Sequence, residues 1–316
     1  MDKIPLVNLA EFLSDDIDKK NKFVTEIGNA YETIGFVALK GHFLEKNLIN
    51  EIYSEIKKFF NLPTEIKRKY EIPEISGQRG YVSFGKESAK GRKQGDLKEF
   101  WHFGQYVEND LELEKTYHKN LYVKELPNFN SVGKKTYKML EKTAKYVLRA
   151  LALYLQIEET YFDNYIHNGN SILRPIHYPP IREAPKKAVR AAAHGDINLI
   201  TLLMGAQGKG LQVKNNEGKW IDAVAGPNEL MINVGDMLSR HTNNKLKSTI
   251  HRVQNPPKEL WSKSRYSIPF FMHPVGSMKL DVLESCINKK NPKKFNNITA
   301  GEFLNQRLEE LGLKKK

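Results

Sequence analysis

The 316-residue chain carries 50 lysines and arginines against 37 acidic residues, a net charge of +13, with 40% hydrophobic and 28% charged residues. This is the balance of a soluble globular protein that can bury a core without disulfides or a structural metal, and it excludes disordered and fibrous classes. The lone cysteine, Cys286, excludes an intramolecular disulfide and fits a reducing, cytoplasmic compartment.

Met1–Pro5 lacks the basic and apolar regions of a signal peptide, and no apolar run is long enough to span a bilayer, so no membrane association is expected. The lysines are scattered, with no dense basic stripe interleaved with aromatics. The charge therefore reads as a solvated surface rather than a nucleic-acid footprint, and Lys314–Lys316 as a frayed terminus. Oligomeric state is not legible.

In chain order, Phe23, Ile27, Ala30, Tyr31 and Ile34 recur at helical spacing, and Gly35 ends that helix. Phe36–Leu39 reads as a buried strand closed by Lys40-Gly41. A second amphipathic helix places Leu48, Ile49, Ile52, Tyr53, Ile56, Phe59 and Phe60 inward and stops before Pro63. Residues 71–120 read as irregular, too long for a plain connector. A long helix follows from about Val132 to Leu155. After residue 170 short β-type runs come at close spacing: Ile172–Tyr178, Leu199–Met204, Leu211–Val213, Trp220–Val224, Glu229–Val234, Ser248–Val253 and Tyr266–Met272. Asn215-Asn216-Glu217-Gly218 signals a hairpin. Many short strands argue for a sandwich or barrel, and helices before strands give an α+β pattern. At the C-terminal end Thr299 and Glu302 have the spacing of a capping box, followed by Phe303, Leu304, Leu308 and Leu311 at helical spacing.

Two short constellations can carry chemistry. In His194-Gly195-Asp196, an extended chain presents the imidazole and the carboxylate on one side. Two histidines and one carboxylate on one face leave three positions open, which suits non-haem iron(II) and dioxygen. The tripeptide alone is weak, because His-x-Asp arises often by chance as a surface hydrogen-bonding pair. A third ligand has to come from elsewhere among nine histidines. His251 lies in a strand-like run, His241 in a polar turn, His177 beside a double proline and His273 after an aromatic strand; spacing ranks His251 only slightly ahead. In Arg265-Tyr266-Ser267, a guanidinium fork and a hydroxyl share one strand face and match a carboxylate, against the plain reading of a surface arginine beside a serine. Tyr178 could add a phenolic donor or simply pack. Tyr81, Phe100, Trp101 and His102 fit equally well as pocket lining and as packing.

The chain resembles the isopenicillin N synthase-like branch of the 2-oxoglutarate/Fe(II) dioxygenases. The resemblance runs in order through Ile4–Leu9, Ile34–His42, Gly80-Tyr81, Asp96–Glu99, Tyr178-Pro179-Pro180, His194-Gly195-Asp196, Leu199–Leu203, Gly210–Val213, Gly218-Lys219-Trp220, Asn233–Met237, Lys247–Val253 and Arg265-Tyr266-Ser267. It implies a jelly-roll double-stranded β-helix flanked by helices. Residues 1–120 would form an N-terminal region and 121–316 the long helix, a catalytic core at about 170–275 and the C-terminal helix, together one compact unit. It implies His194, Asp196 and His251 as iron ligands. Arg265 and Ser267, with Tyr178 beside them, would grip the distal carboxylate of 2-oxoglutarate. The partners would be dioxygen and a small-molecule substrate that is hydroxylated or desaturated. An oxidase that works without 2-oxoglutarate, an ethylene/succinate-forming enzyme and a non-catalytic binding protein are the competing readings. The intact His-Asp-His set disfavours the last. Plant-type members often carry Asn where this chain has Ile176, so the resemblance supplies no amide for the cosubstrate's 1-carboxylate. The stretch from His251 to Arg265, with Pro256-Pro257, is longer than in plant members and resembles bacterial ones.

Overall fold

The computed structural model describes residues 3–75, 77–87, 95–183, 188–205 and 210–310. The strands are β1 (Leu6–Asn8), β2 (Phe36–Lys40), β3 (Gly80–Val82), β4 (Glu99–Gly104), β5 (Ile172–Leu173), β6 (Ile176–Tyr178) and β7 (Ala191–His194), then β8 (Ile200–Met204), β9 (Leu211–Lys214), β10 (Trp220–Asp222), β11 (Leu230–Val234), β12 (His251–Val253) and β13 (Arg265–Met272). The larger sheet runs β1-β2-β11-β8-β13-β5-β4-β3, with β6 joining β13 and β4, and the smaller runs β10-β9-β12-β7. This is the two-sheet jelly roll with flanking helices that the resemblance implied.

The strand sequences show why the larger sheet is covered on both faces. In β11, Leu230, Ile232 and Val234 point into the core shared with the helices, whereas Met231 points into the core between the sheets. In β2, Val37 and Leu39 face the helices, and Phe36 and Ala38 meet Ala191, Leu211, Val213 and Val253 of the smaller sheet. A strand buried on both sides reads as a continuous apolar run. The helix Pro127–Tyr154 lies across β13, β4 and β8, and the helices Ile17–Thr33 and Lys46–Phe60 pack on it. Truncating one of these buried side chains, such as Ile232→Ala, would cost roughly 2–5 kcal/mol.

Local signals held in several places. The helix over Phe23–Ile34 stops where Gly35 takes φ 72°. The hairpin at Asn215–Gly218 joins β9 to β10, with Asn215 Oδ1 accepting from the amides of Glu217 and Lys219. Thr299 and Glu302 exchange both capping bonds at the start of the helix Ala300–Glu310. Leu311 and Lys314–Lys316 lie outside the described residues.

Other expectations are corrected. Residues 71–120 are not simply irregular: they hold β3, β4 and a helix at Leu111–Thr116. All six residues of β4 are buried, so the polar/apolar alternation that marks a half-exposed strand is missing. The run Ile172–Tyr178 is two strands, because Pro175 has no N–H and faces the part of β13 that contains Pro269. His241 is not in a polar turn but is buried at the end of a short helix, Asp236–His241. The long helix starts earlier than Val132, with Pro127 in its first turn.

Candidate metal centre

β7 and β12 are antiparallel neighbours, and their register sets His251 directly opposite His194. The chain leaves β7 through Gly195 and returns Asp196 towards the same spot. His194 Nε2 lies 3.9 Å and His251 Nε2 3.8 Å from Asp196 Oδ1, and the two imidazole centroids are 4.5 Å apart. One donor atom from each residue fits within 4.8 Å of the others. Phe36 meets His251 edge-on at 5.5 Å and closes the inter-sheet side.

The remaining polar atoms of the three groups are committed elsewhere, which aims the free ones. His194 Nδ1 is 2.7 Å from the carbonyl of Ala192 and His251 Nδ1 is 3.2 Å from that of Thr249, so the Nδ1–H tautomer donates there and Nε2 keeps its lone pair. Asp196 Oδ2 accepts from Thr201 Oγ1 at 2.6 Å and from Asn233 Nδ2 at 2.8 Å, leaving Oδ1 for the centre. Burial pushes the Asp196 carboxyl up, but the two imidazoles and these donors outweigh it and hold it below its ordinary value. Protein mass around the His194 ring, together with the neighbouring His251, holds its pKa at about 4, although 44% of the side chain faces solvent. Two imidazoles with Nε2 turned to one point, an ionised carboxylate and an open side facing solvent fit a divalent iron site.

Of the rival histidines, His273 is half-buried and within electrostatic reach of Asp196 but outside the convergent donor set, and burial holds its pKa at about 4. The other two are occupied elsewhere. His241 Nε2 is 3.0 Å from Tyr161 Oη. His177 Nδ1 is 2.7 Å from Glu99 Oε1, and its Nε2 is 3.0 Å from Ser264 Oγ.

The second constellation forms one face of the β6–β13 pair. Arg265 lies opposite Tyr178, and Ser267 opposite Ile176. Ile176 and Tyr178 cluster with Phe100 of β4, and the Arg265 guanidinium sits 5.1 Å from the Tyr178 ring centre. The alternating residues take the other face: His177 stacks on Tyr266 at 4.8 Å and bonds Glu99, which Lys67 Nζ reaches at 2.8 Å and Tyr81 Oη also contacts. His177 thus points away from Ile176 and Tyr178, as strand alternation requires. Tyr81, Phe100, Trp101 and His102 are all buried, with Phe100 alone of the four in the Tyr178 cluster.

Sequence reasoning missed several residues around the centre. Thr201, on β8, reaches Asp196 across the turn five residues along, and the β8–β11 register brings Asn233 to the same carboxylate. Arg190, at the entrance to β7, places its guanidinium 5.6 Å from the same Tyr178 ring. The one available signal was a long cation set among small residues in Ala188-Val189-Arg190-Ala191-Ala192-Ala193. Lys98 is buried between Glu87 at 2.6 Å and Asp96 at 3.0 Å, within electrostatic reach of Tyr178 and His194.

Comparison with known proteins bears on the same regions. Residues 4–125 match the family described as non-haem dioxygenase in morphine synthesis, N-terminal, and residues 167–274 match the 2OG-Fe(II) oxygenase superfamily. A solved structure of a 2OG-Fe(II) oxygenase family protein from Caulobacter crescentus is 40% identical, covering 98% of this chain and 99% of that one with a TM-score of 0.89. A full-length Neurospora crassa protein solved in complex with alpha-KG is 31% identical over 97% of this chain and 96% of that one, with a TM-score of 0.85; it has also been solved with alpha-KG and thymine. The 2-oxoglutarate-Fe(II) type oxidoreductase hxnY of Emericella nidulans is 29% identical over 95% of this chain and 88% of its own. The chain belongs to the 2OG-Fe(II) oxygenase superfamily, as an enzyme that uses iron(II) and 2-oxoglutarate.

Proposed function

We propose that His194, Asp196 and His251 hold the iron(II), and that Arg265 and Ser267, with Tyr178, hold the distal carboxylate of 2-oxoglutarate. The enzyme then couples decarboxylation of that keto acid to hydroxylation or desaturation of a small molecule. The observation that carries the metal assignment is the convergence of Nε2, Nε2 and Oδ1 while every other polar atom of the three side chains is bonded away. Iron(II) bound there supplies the redox chemistry by which dioxygen is used. The protein's own part is to aim both Nε2 atoms and Oδ1 at one point, to keep Asp196 ionised, and to hold the cosubstrate by its far end. The buried Phe100–Ile176–Tyr178 floor keeps water from that side of the site.

The complexes of the Neurospora crassa protein with alpha-KG and with thymine support a small-molecule substrate. We also take residues 1–120 and 121–316 as one unit. The pairing of β2 with β11 and of β4 with β5 and β6 across that boundary supports this. The lone cysteine supports a cytoplasmic setting.

Ile176 is buried in an apolar cluster and offers no donor to the cosubstrate's 1-carboxylate. Anaerobic titration of the iron(II)-loaded protein with 2-oxoglutarate tests the assignment. A visible charge-transfer band that saturates with 2-oxoglutarate supports it. Iron binding without any band would overturn it.

A further inference from the structure

We infer that Arg190 is a second carboxylate-binding residue of the cosubstrate seat, acting with Arg265 on one and the same anionic group. The inference rests on the 2-oxoglutarate reading above and deepens it.

Two guanidiniums close on one aromatic ring. Arg190 lies 5.6 Å and Arg265 5.1 Å from the centre of Tyr178, and they reach it from different strands, Arg190 at the head of β7 and Arg265 at the start of β13. Arg190 is buried, its Nε has no hydrogen-bond partner, and its one described bond is a long contact of 3.5 Å from Nη2 to the carbonyl of Lys263. Arg265 Nη1 is likewise buried without a partner. Among the described residues neither forms an ion pair with a carboxylate, whereas the buried Lys67 is neutralised by Glu99, the buried Lys98 by Glu87 and Asp96, and the half-buried Arg174 by Glu87.

Two like charges are therefore held near one ring, Arg190 buried and Arg265 half-buried, each with a buried N–H group short of an acceptor. Burial, then the neighbouring Arg265, lowers the pKa of Arg190 to about 10. Such an arrangement costs stability unless an anion completes it. A carboxylate has two oxygens and about four acceptor sites, enough to take one N–H from each guanidinium while still accepting from Ser267 or Tyr178. The backbone fixes Arg190 in place: the amide of Leu97 donates to the carbonyl of Val189 at 3.1 Å, tying the residue before Arg190 to the buried Asp96–Lys98 segment. Because both guanidiniums share Tyr178, the anion they await is the one assigned to Arg265, the distal carboxylate of 2-oxoglutarate.

The experiment compares wild type, Arg190→Met, Arg190→Lys and Arg265→Met as anaerobic iron(II)-loaded proteins. Each is titrated with 2-oxoglutarate and with 2-oxobutyrate, which keeps the keto-acid head but lacks the distal carboxylate. Melting temperature is recorded for each without and with 2-oxoglutarate. Arg190→Met is expected to raise the 2-oxoglutarate Kd at least about tenfold while leaving the 2-oxobutyrate Kd unchanged. Arg190→Lys should fall between it and wild type. The melting temperature of ligand-free Arg190→Met should equal or exceed that of wild type, since one of two repelling charges is gone, and its gain on adding 2-oxoglutarate should shrink.

Two outcomes overturn the inference. One is a 2-oxoglutarate Kd in Arg190→Met within about twofold of wild type. The other is an equal loss for both keto acids together with a lower ligand-free melting temperature, the mark of a structural arginine. Absence of 2-oxoglutarate binding in wild type itself, with Arg265→Met no different, would instead sink the cosubstrate reading and this inference with it.

Discussion

Thr201 donates its hydroxyl proton to Asp196 Oδ2 at 2.6 Å, from a position five residues along the chain and across the turn into β8. This bond, with that of Asn233 at 2.8 Å, turns the carboxylate so that Oδ1 alone faces the two imidazoles. Thr201→Val keeps the shape and removes the donor. It is expected to weaken iron(II) affinity by about 10–100-fold, the usual cost of losing a residue that orients a metal-binding side chain. Competition of iron(II) against a coloured chelator reads this directly; wild-type affinity in the variant would mean that Asn233 alone suffices.

Asp196→Ala and His251→Ala each remove one of three convergent donors. Both should abolish turnover and stoichiometric iron binding while leaving the protein folded, as judged by circular dichroism. Full activity in both variants would show that the assignment is wrong.

Arg265→Ala should act on the cosubstrate and not on the metal. Its guanidinium faces Tyr178 and belongs to the β6–β13 ladder, in the other sheet from the His194–His251 pair. The KM for 2-oxoglutarate is expected to rise by at least about tenfold, the loss of a charge-assisted contact, with iron affinity unchanged. An unmoved KM would remove Arg265 from its role.

Lys67 and Glu99 form a buried ion pair on the side of β6 away from Tyr178, and Glu99 also accepts from His177 and Tyr81. Glu99→Gln leaves the Lys67 ammonium without its counter-charge and should cost about 3–5 kcal/mol in chemical denaturation. Adding Lys67→Met to it should recover part of that loss. If the double variant is as unstable as the sum of the singles, the two side chains act independently.

Acid stability should depend on His241. Burial lowers its pKa from an ordinary 6.5 to about 4, only partly opposed by Asp281, and Tyr161 Oη lies 3.0 Å from Nε2. The folded-state value is depressed. The stabilisation is therefore complete above the unfolded pKa near 6.5 and is lost as the pH falls towards 4, because the unfolded chain takes up the proton first. The contribution is about 3 kcal/mol. His241→Gln should flatten the fall in unfolding free energy between those two pH values; an unaltered slope would mean that other groups control it.

What the amino-acid order determined alone is what depends on neighbours in sequence. Gly35, the turn Asn215–Gly218 and the Thr299–Glu302 box act within a few residues and were legible for that reason. So was the pairing of His194 with Asp196 across one glycine, and the opposite facing of His177 and Tyr178. Motif order carried the family and its jelly roll. The fully buried β4 escaped, because a strand covered on both faces has no alternation to read. The choice of His251 over His177, His241 and His273 also needed the fold: spacing barely ranked them, whereas the antiparallel register of β7 and β12 sets His251 opposite His194. Asn233 reaches Asp196 because the β8–β11 register sets it opposite Thr201, and Arg190 reaches Tyr178 from the other sheet. Both contacts join segments far apart in the chain, a relation that no local pattern encodes.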